Sequence, residues 1–254
     1  MKERITIMNV PFDRVTAKEA LAITLEKLDG NKQTTNGKHQ PFFIATPNPE
    51  MLLAARKNER FLKILQTETD LNIPDGIGII FASKLSKNSL PQRVTGTDLM
   101  QAICHFAPKG TKIFLLGAAE GVAEKVKAKL QKKYPQIQIV GTHSGSPAPE
   151  EAEKIRNLIQ KSEADILFIA FGAPKQELWL SENLSHLKNL KIAMGVGGAF
   201  DFVAEIRKRA PRLMRKLGLE WLFRLVIEPS RFKRIYNATI KFPLLFLKQK
   251  ITGK

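Results

Sequence analysis

Cysteine is almost absent: the 254 residues contain one, Cys104. An internal disulfide framework is therefore excluded, and the composition fits a reducing compartment. Long apolar runs are missing as well. The longest, residues 166–173, falls far short of the roughly 20 residues a membrane-spanning helix needs and reads as a buried strand. The stretch from Met1 to Val10 is too short and too charged for a secretory signal. The four histidines, His39, His105, His143 and His186, have no metal-ligand spacing, and no Cys-x-x-Cys occurs. His143, within residues 141–145, reads as a loop residue. Nor is there a Walker A loop, or an Asp-x-Asp pair of the kind that holds a divalent ion against a diphosphate. An anionic ligand would have to be met by arginines and backbone amides, with no metal and no cofactor.

Positive charge is in excess instead. Lysine and arginine number 41 against 24 acids, a formal charge of +17. The excess is uneven: from Glu205 onward only Glu205, Glu220 and Glu228 oppose a run of arginines and lysines. A basic surface confined to one region fits an anionic lipid surface, a nucleic acid or an anionic substrate.

Between residues 41 and 200, short β-rich runs alternate with amphipathic stretches. Strands are predicted at residues 42–45, 70–73, 112–116, 137–140, 165–170 and 191–194. Helical spacing marks residues 121–134, where Val122, Val126 and Leu130 recur, and residues 149–161. Ahead of them, residues 4–10 read as one strand, 17–28 as a helix and 29–40 as a polar loop. This alternation predicts an α/β fold: a Rossmann-like parallel sheet with helices on both faces. Residues 211–217, 219–228 and 230–242 read as short helices whose apolar positions alternate with arginines. A boundary near Ala204 is expected, dividing a core (1–204) from a basic helical C-terminal appendage (205–254).

In an open parallel sheet, ligands gather at the carboxyl ends of the strands. Four predicted strands there run into polar segments: Thr46-Pro47-Asn48-Pro49-Glu50, Pro74-Asp75-Gly76, Gly172-Ala173-Pro174-Lys175-Gln176-Glu177 and Gly195-Val196-Gly197-Gly198. Each also has a plain structural reading. Thr46, Asn48 or Asp75 serves equally as a helix N-cap, and Pro174 as ordinary helix initiation. A glycine cluster after a strand is weak evidence for phosphate binding. Arg93 reads as a surface arginine ahead of a helix capped by Thr97 or Asp98. Taken together, four polar caps on one rim point to a sugar-nucleotide cleft, with helix N-termini supplying amide donors.

These segments, with residues 93–98, 195–201, 209–211 and 218–225, resemble in order the WecG/TagA/CpsF family of bacterial glycosyltransferases, from about residue 5 to 240. Within it the chain looks most like the N-acetylmannosaminyltransferases of wall teichoic acid synthesis. Glu205 departs from the pattern, because the family usually has glycine there. The resemblance implies a UDP-N-acetylmannosamine donor and an undecaprenyl-diphosphate-linked N-acetylglucosamine acceptor, joined β-1,4 with inversion. It implies Asp75 as catalytic base, with Thr46, Asn48, Arg93 and Gln176 lining the sugar pocket. It also implies an appendage that docks on the cytoplasmic face of the membrane and helps complete the site.

The chemistry is consistent with that assignment. Single displacement needs a base to take the acceptor's proton, and a lone carboxylate on the rim can serve; Asp75 is the first candidate and Asp201 the second. The leaving diphosphate needs preorganised donors. Arg212, Arg215 and Arg224 are candidates from the appendage, while Gly197 and Gly198 of the turn are expected to bind substrate. Another UDP-sugar, such as UDP-N-acetylmannosaminuronic acid, is the alternative donor. A nucleic-acid module is the remote one, since no such motif is present. A dinucleotide fold is disfavoured because the glycine turn follows the last strand rather than the first. A homo-oligomer is left open.

Overall fold

Two strands, β1 (Arg4–Ile7) and β2 (Val10–Asp13), form an antiparallel hairpin in the computed structural model, which describes residues 3–30, 40–85 and 89–252, without the side chains of Arg212 and Lys216. The sequence predicts one strand here. The chain instead reverses at Met8 and Asn9, whose φ values of 48° and 67° match the two left-handed residues of a tight hairpin turn. Helix α1 (Ala17–Asp29) follows, closed by a capping box in which Thr16 accepts from the Glu19 amide and Glu19 accepts from that of Thr16. Most of the polar loop expected at 29–40 lies outside the described residues.

The main sheet begins at β3 (Phe42–Ala45), followed by α2 (Pro49–Ala55), α3 (Glu59–Lys63), a π turn (Ile64–Glu68) and the short β4 (Leu71–Asn72). Next come α4 (Ile77–Lys84), α5 (Gly96–Phe106), β5 (Lys112–Gly117), α6 (Val122–Lys133), β6 (Gln138–His143) and α7 (Pro149–Ser162). Strand β7 (Ile166–Ala170), α8 (Lys175–Asn183), β8 (Ile192–Gly195) and α9 (Ala199–Val203) complete the repeat. His143, expected in a loop, is the last residue of β6, which runs beyond the predicted 137–140 because it pairs with β5 as far as Leu116.

The sheet has six strands in the order β4-β3-β8-β7-β5-β6, and every pairing is parallel. Alternating residues of β5 enter different cores, as the two-residue period of a strand requires. Ile113 and Leu115 pack with α5 and α6, whereas Phe114 and Leu116 pack with α7 and α8. Both faces are covered, so β7 is buried along its whole length.

The C-terminal region comprises α10 (Arg212–Lys216), α11 (Glu220–Ile227), a 3-10 turn (Pro229–Arg231), α12 (Phe232–Tyr236), a π turn (Asn237–Lys241) and α13 (Phe242–Thr252). The helix expected to end at Phe242 continues to Thr252. Pro243 has no N–H to give and would crowd the carbonyl four residues back. The π turn just before it widens the helix and accommodates the ring. Phe242 is 1% exposed and joins Ile5, Phe12, Leu52 and Ile79 in a third cluster. Burying one such ring is worth about 1.5–3 kcal/mol. Gly218, at φ 75°, sits so close to Ile77 that a Cβ would lie 2.9 Å from Ile77 Cγ1. These contacts seat the C-terminal helices over α2 and α4.

Candidate functional site

The four polar segments follow β4, β3, β8 and β7, four consecutive strands of the sheet. They meet around a cavity of about 420 Å³ lined by Thr46, Asn48, Asp75, Gln176, Gly197 and Gly198, together with Glu50, Thr97 and Phe202. Its basic wall consists of Arg207, Arg224, Arg231 and Arg234, all from the C-terminal region.

Asn48 is a helix cap after all: its side-chain oxygen accepts from the Met51 amide at 3.0 Å, with Pro49 in the first turn of α2. Only one end of the amide is used there, and the residue still borders the cavity. Thr46 packs against Gly96, where a Cβ would lie 3.2 Å from its hydroxyl. Asp75 caps nothing. Gly76, at φ 106°, holds the N-cap position of α4 without any side-chain bond, and Asp75 Oδ2 instead faces the Gly96 amide at 3.4 Å. Burial pushes the Asp75 carboxyl up to about 6, against the pull of the Arg93 charge and the Gly96 amide; Glu220 adds to the rise. The other cavity carboxylate, Glu50, is held by Arg234 through bonds of 2.9 and 2.7 Å. Among the described residues, Asp75 is thus the cavity carboxylate without an ion-pair partner.

Arg93 stands outside the cavity lining. It donates to the Arg215 carbonyl at 3.2 Å and meets Glu220 at 3.8 Å. Arg215 also turns away, toward the Ala210 carbonyl and Asp98. The Arg212 side chain lies outside the described residues. Arg224 does reach the cavity: Glu220 holds it at 2.9 Å and its guanidinium lies 4.8 Å from the Phe202 ring centroid. Its Nε is buried without a partner among the described atoms. Asp201 is absent from the lining and pairs with Arg207 at 3.2 Å. Sequence reasoning misses Arg207, Arg231 and Arg234. Only the general basicity of the segment marked them, because which helix face meets the core is set by packing.

Gln176 borders the cavity with its polar atoms already engaged. Oε1 accepts from the amides of Gly172 and Gly197, both at 3.1 Å, and Nε2 donates to Glu177 at 2.8 Å. No three His, Cys, Asp or Glu side chains gather as a metal site among the described residues. No helix among them is long and apolar enough to cross a membrane.

A parallel α/β sheet carrying, at its carboxyl rim, a basic cleft with one carboxylate outside any ion pair among the described residues defines the class: a Rossmann-like protein with its ligand cleft at the strand ends. Comparison with known proteins narrows the class. The model of the glycosyl transferase WecG/TagA/CpsF family matches residues 5–254, and the chain belongs to that family of enzymes. It is 35% identical over 212 residues, covering 83% of this chain and 81% of the relative, to the N-acetylglucosaminyldiphosphoundecaprenol N-acetyl-beta-D-mannosaminyltransferase of Bacillus subtilis strain 168. It is 31% identical over 238 residues, 93% of this chain and 90% of the relative, to the protein of the same name from Staphylococcus aureus strain MRSA252.

Proposed function

We propose that this glycosyltransferase moves N-acetylmannosamine from UDP-N-acetylmannosamine to N-acetylglucosamine on undecaprenyl diphosphate, forming a β-1,4 linkage with inversion. The product would enter wall teichoic acid or a related surface polymer. The relatives' names supply the acceptor and the sugar moved. The observation that carries the mechanism is the cleft's charge division: Asp75 stands, among the described residues, without an ion-pair partner in a cavity that four arginines also line.

In this reading the acceptor hydroxyl attacks the anomeric carbon of the donor as the bond to the UDP oxygen breaks. Asp75 takes the hydroxyl proton; a carboxyl raised toward 6 is still ionised at neutral pH and is a stronger base than an ordinary one. Negative charge grows on the departing diphosphate. Guanidinium forks fixed beforehand stabilise it at little reorganisation cost, and Arg224, stacked on Phe202 and held by Glu220, is the best anchored. Thr46 and Asn48 border the sugar side.

The C-terminal helices would bring the enzyme to the inner membrane face. Their outer surface exposes Leu213, Leu217, Val226, Phe232, Tyr236 and Ile251 among lysines and arginines, as an interfacial surface requires.

The test is UDP release with a soluble short-prenyl diphospho-N-acetylglucosamine acceptor, offered UDP-N-acetylmannosamine, UDP-N-acetylmannosaminuronic acid or UDP-N-acetylglucosamine in excess EDTA. The highest kcat/KM is expected with UDP-N-acetylmannosamine, and turnover should persist without free metal. A preference for the uronic acid would overturn the donor assignment.

A further inference from the structure

Glu177 is fully buried, 0% exposed, although it lies one residue from the cavity lining. Oε1 receives the Gln176 Nε2 hydrogen bond at 2.8 Å, and Oε2 has no partner among the described atoms. A buried carboxyl with one unsatisfied oxygen is costly, so the fold retains a group that simple packing would replace with leucine. Burial pushes the carboxyl up to about 7, and the bonds from Gln176 and from the backbone of Glu177 itself only partly oppose this.

Its position relative to Gln176 explains the retention. A glutamine amide presents one oxygen and one nitrogen of nearly equal size. Here the oxygen meets two N–H donors, Gly172 from the loop after β7 and Gly197 from the loop after β8. Turned over, the amide would aim its NH₂ at both of them. The Glu177 oxygen gives Nε2 an acceptor on the far side, so only one orientation satisfies all three groups. The space behind the amide is closed too. A Cβ on Gly195 would lie 2.6 Å from Gln176 Nε2 and 3.0 Å from Glu177 Oε1, so the strand end fits these side chains only as glycine.

We propose that Gln176 and Glu177 form a clamp that fixes the spacing of two cleft walls: Gln176 joins the loops after β7 and β8, and Glu177 is a positioning residue that holds the Gln176 amide in its clamping orientation. Gly172, Ala173, Gly197 and Gly198, which the clamp controls, all line the cavity. The inference rests on the glycosyltransferase activity of this cleft, not on which sugar is moved.

The experiment compares Glu177→Gln, which keeps an acceptor oxygen, with Glu177→Leu, which keeps the volume and removes it. Readouts are kcat, donor KM, melting temperature and hydrogen exchange of the Gly172 and Gly197 amides. Glu177→Gln should stay within about threefold of the parent in donor KM. Glu177→Leu should melt no lower than the parent, yet raise donor KM at least tenfold and lose protection at both amides. The double variant Gln176→Met/Glu177→Leu should be no worse than Gln176→Met alone, since residues acting through one contact are not additive. Parent-like KM and protection in Glu177→Leu would refute the clamp, as would equal damage from both Glu177 variants. If Glu177→Leu does not fold, Gln176→Met carries the test: unchanged KM and unchanged amide protection there would refute it equally. Lack of activity with every UDP-sugar in the parent protein would instead implicate the functional reading, because amide protection reports the clamp without turnover.

Discussion

Arg93 Nη1 lies 3.8 Å from a carboxylate oxygen of Glu220, joining the segment ahead of α5 to the first turn of α11. Glu220 also holds Arg224, which lines the cleft, while Arg93 does not. Arg93 thus acts on Asp75 through its charge, from outside the cavity lining.

This arrangement predicts opposed shifts in the pH dependence of kcat/KM. In the parent enzyme the rate should rise through about pH 6 as Asp75 ionises and level off above it. Glu220 raises the Asp75 value and Arg93 lowers it. Glu220→Gln should therefore move the acid limb to lower pH, and Arg93→Gln to higher pH. Asp75→Asn should lower turnover by about two to four orders of magnitude without unfolding the protein. Near-normal turnover in Asp75→Asn with none in Asp201→Asn would show that the base had been misassigned.

Arg224→Lys should separate charge from shape. Lysine keeps the cation but loses the planar fork and the stacking on Phe202. A fall in kcat/KM of at least about tenfold is expected, measured at saturating acceptor. Recovery of parent activity by lysine would mean that charge alone suffices.

Stability should fall as pH rises toward 8. Asp75 and Glu177 both have raised values, about 6 and about 7, so between the ordinary carboxylate range and those values the folded chain binds more protons than the unfolded one. Unfolding free energy then decreases with pH over that window. Calorimetry at pH 5.5 and 8 should show a smaller drop in Tm for Glu177→Gln than for the parent.

The main sheet was readable because strands buried on both faces, such as β7, appear as continuous apolar runs. The rim was readable because polar residues and glycines follow those runs. The β1–β2 turn was hidden: Met8 and Asn9 take left-handed conformations without the glycine that usually announces such a turn. Glu177 was hidden for a different reason. Its sequence neighbours suggest a solvent-facing first helical turn, whereas the strand end that abuts it, at Gly195, lies far along the chain. The cleft arginines depended on the docking of α11 and α12, which local periodicity does not encode.

The departure at Glu205 has a structural account. The residue sits at φ 58°, a left-handed conformation that glycine adopts freely, and its carboxylate pairs with Lys129 at the surface. An exposed ion pair contributes little. Glu205→Gly should therefore raise stability by about 0.5–1 kcal/mol, relieving the strain beyond the added chain entropy. Thermal unfolding checks this, and a lower Tm would show that the Lys129 pair matters more than the backbone.

Vesicle binding tests the outer face of the C-terminal helices. Phe232→Ser/Tyr236→Ser removes two exposed rings that stack on one another, with centroids 6.4 Å apart. Flotation with vesicles rich in anionic lipid should fall several-fold, and binding of the parent should weaken with salt. Unchanged flotation would exclude this face as the contact.

Phe242 shares its cluster with Ile5 and Phe12. During synthesis the strands of the main sheet emerge before Phe242, so most of the sheet is available to fold while this cluster still lacks a member. The cleft arginines, from Arg207 to Arg234, also emerge after the last strand. A nascent chain can thus hold a formed sheet and an exposed Asp75 with no basic wall opposite it. The basic wall of the cleft is therefore complete only after the late helices close over α2 and α4.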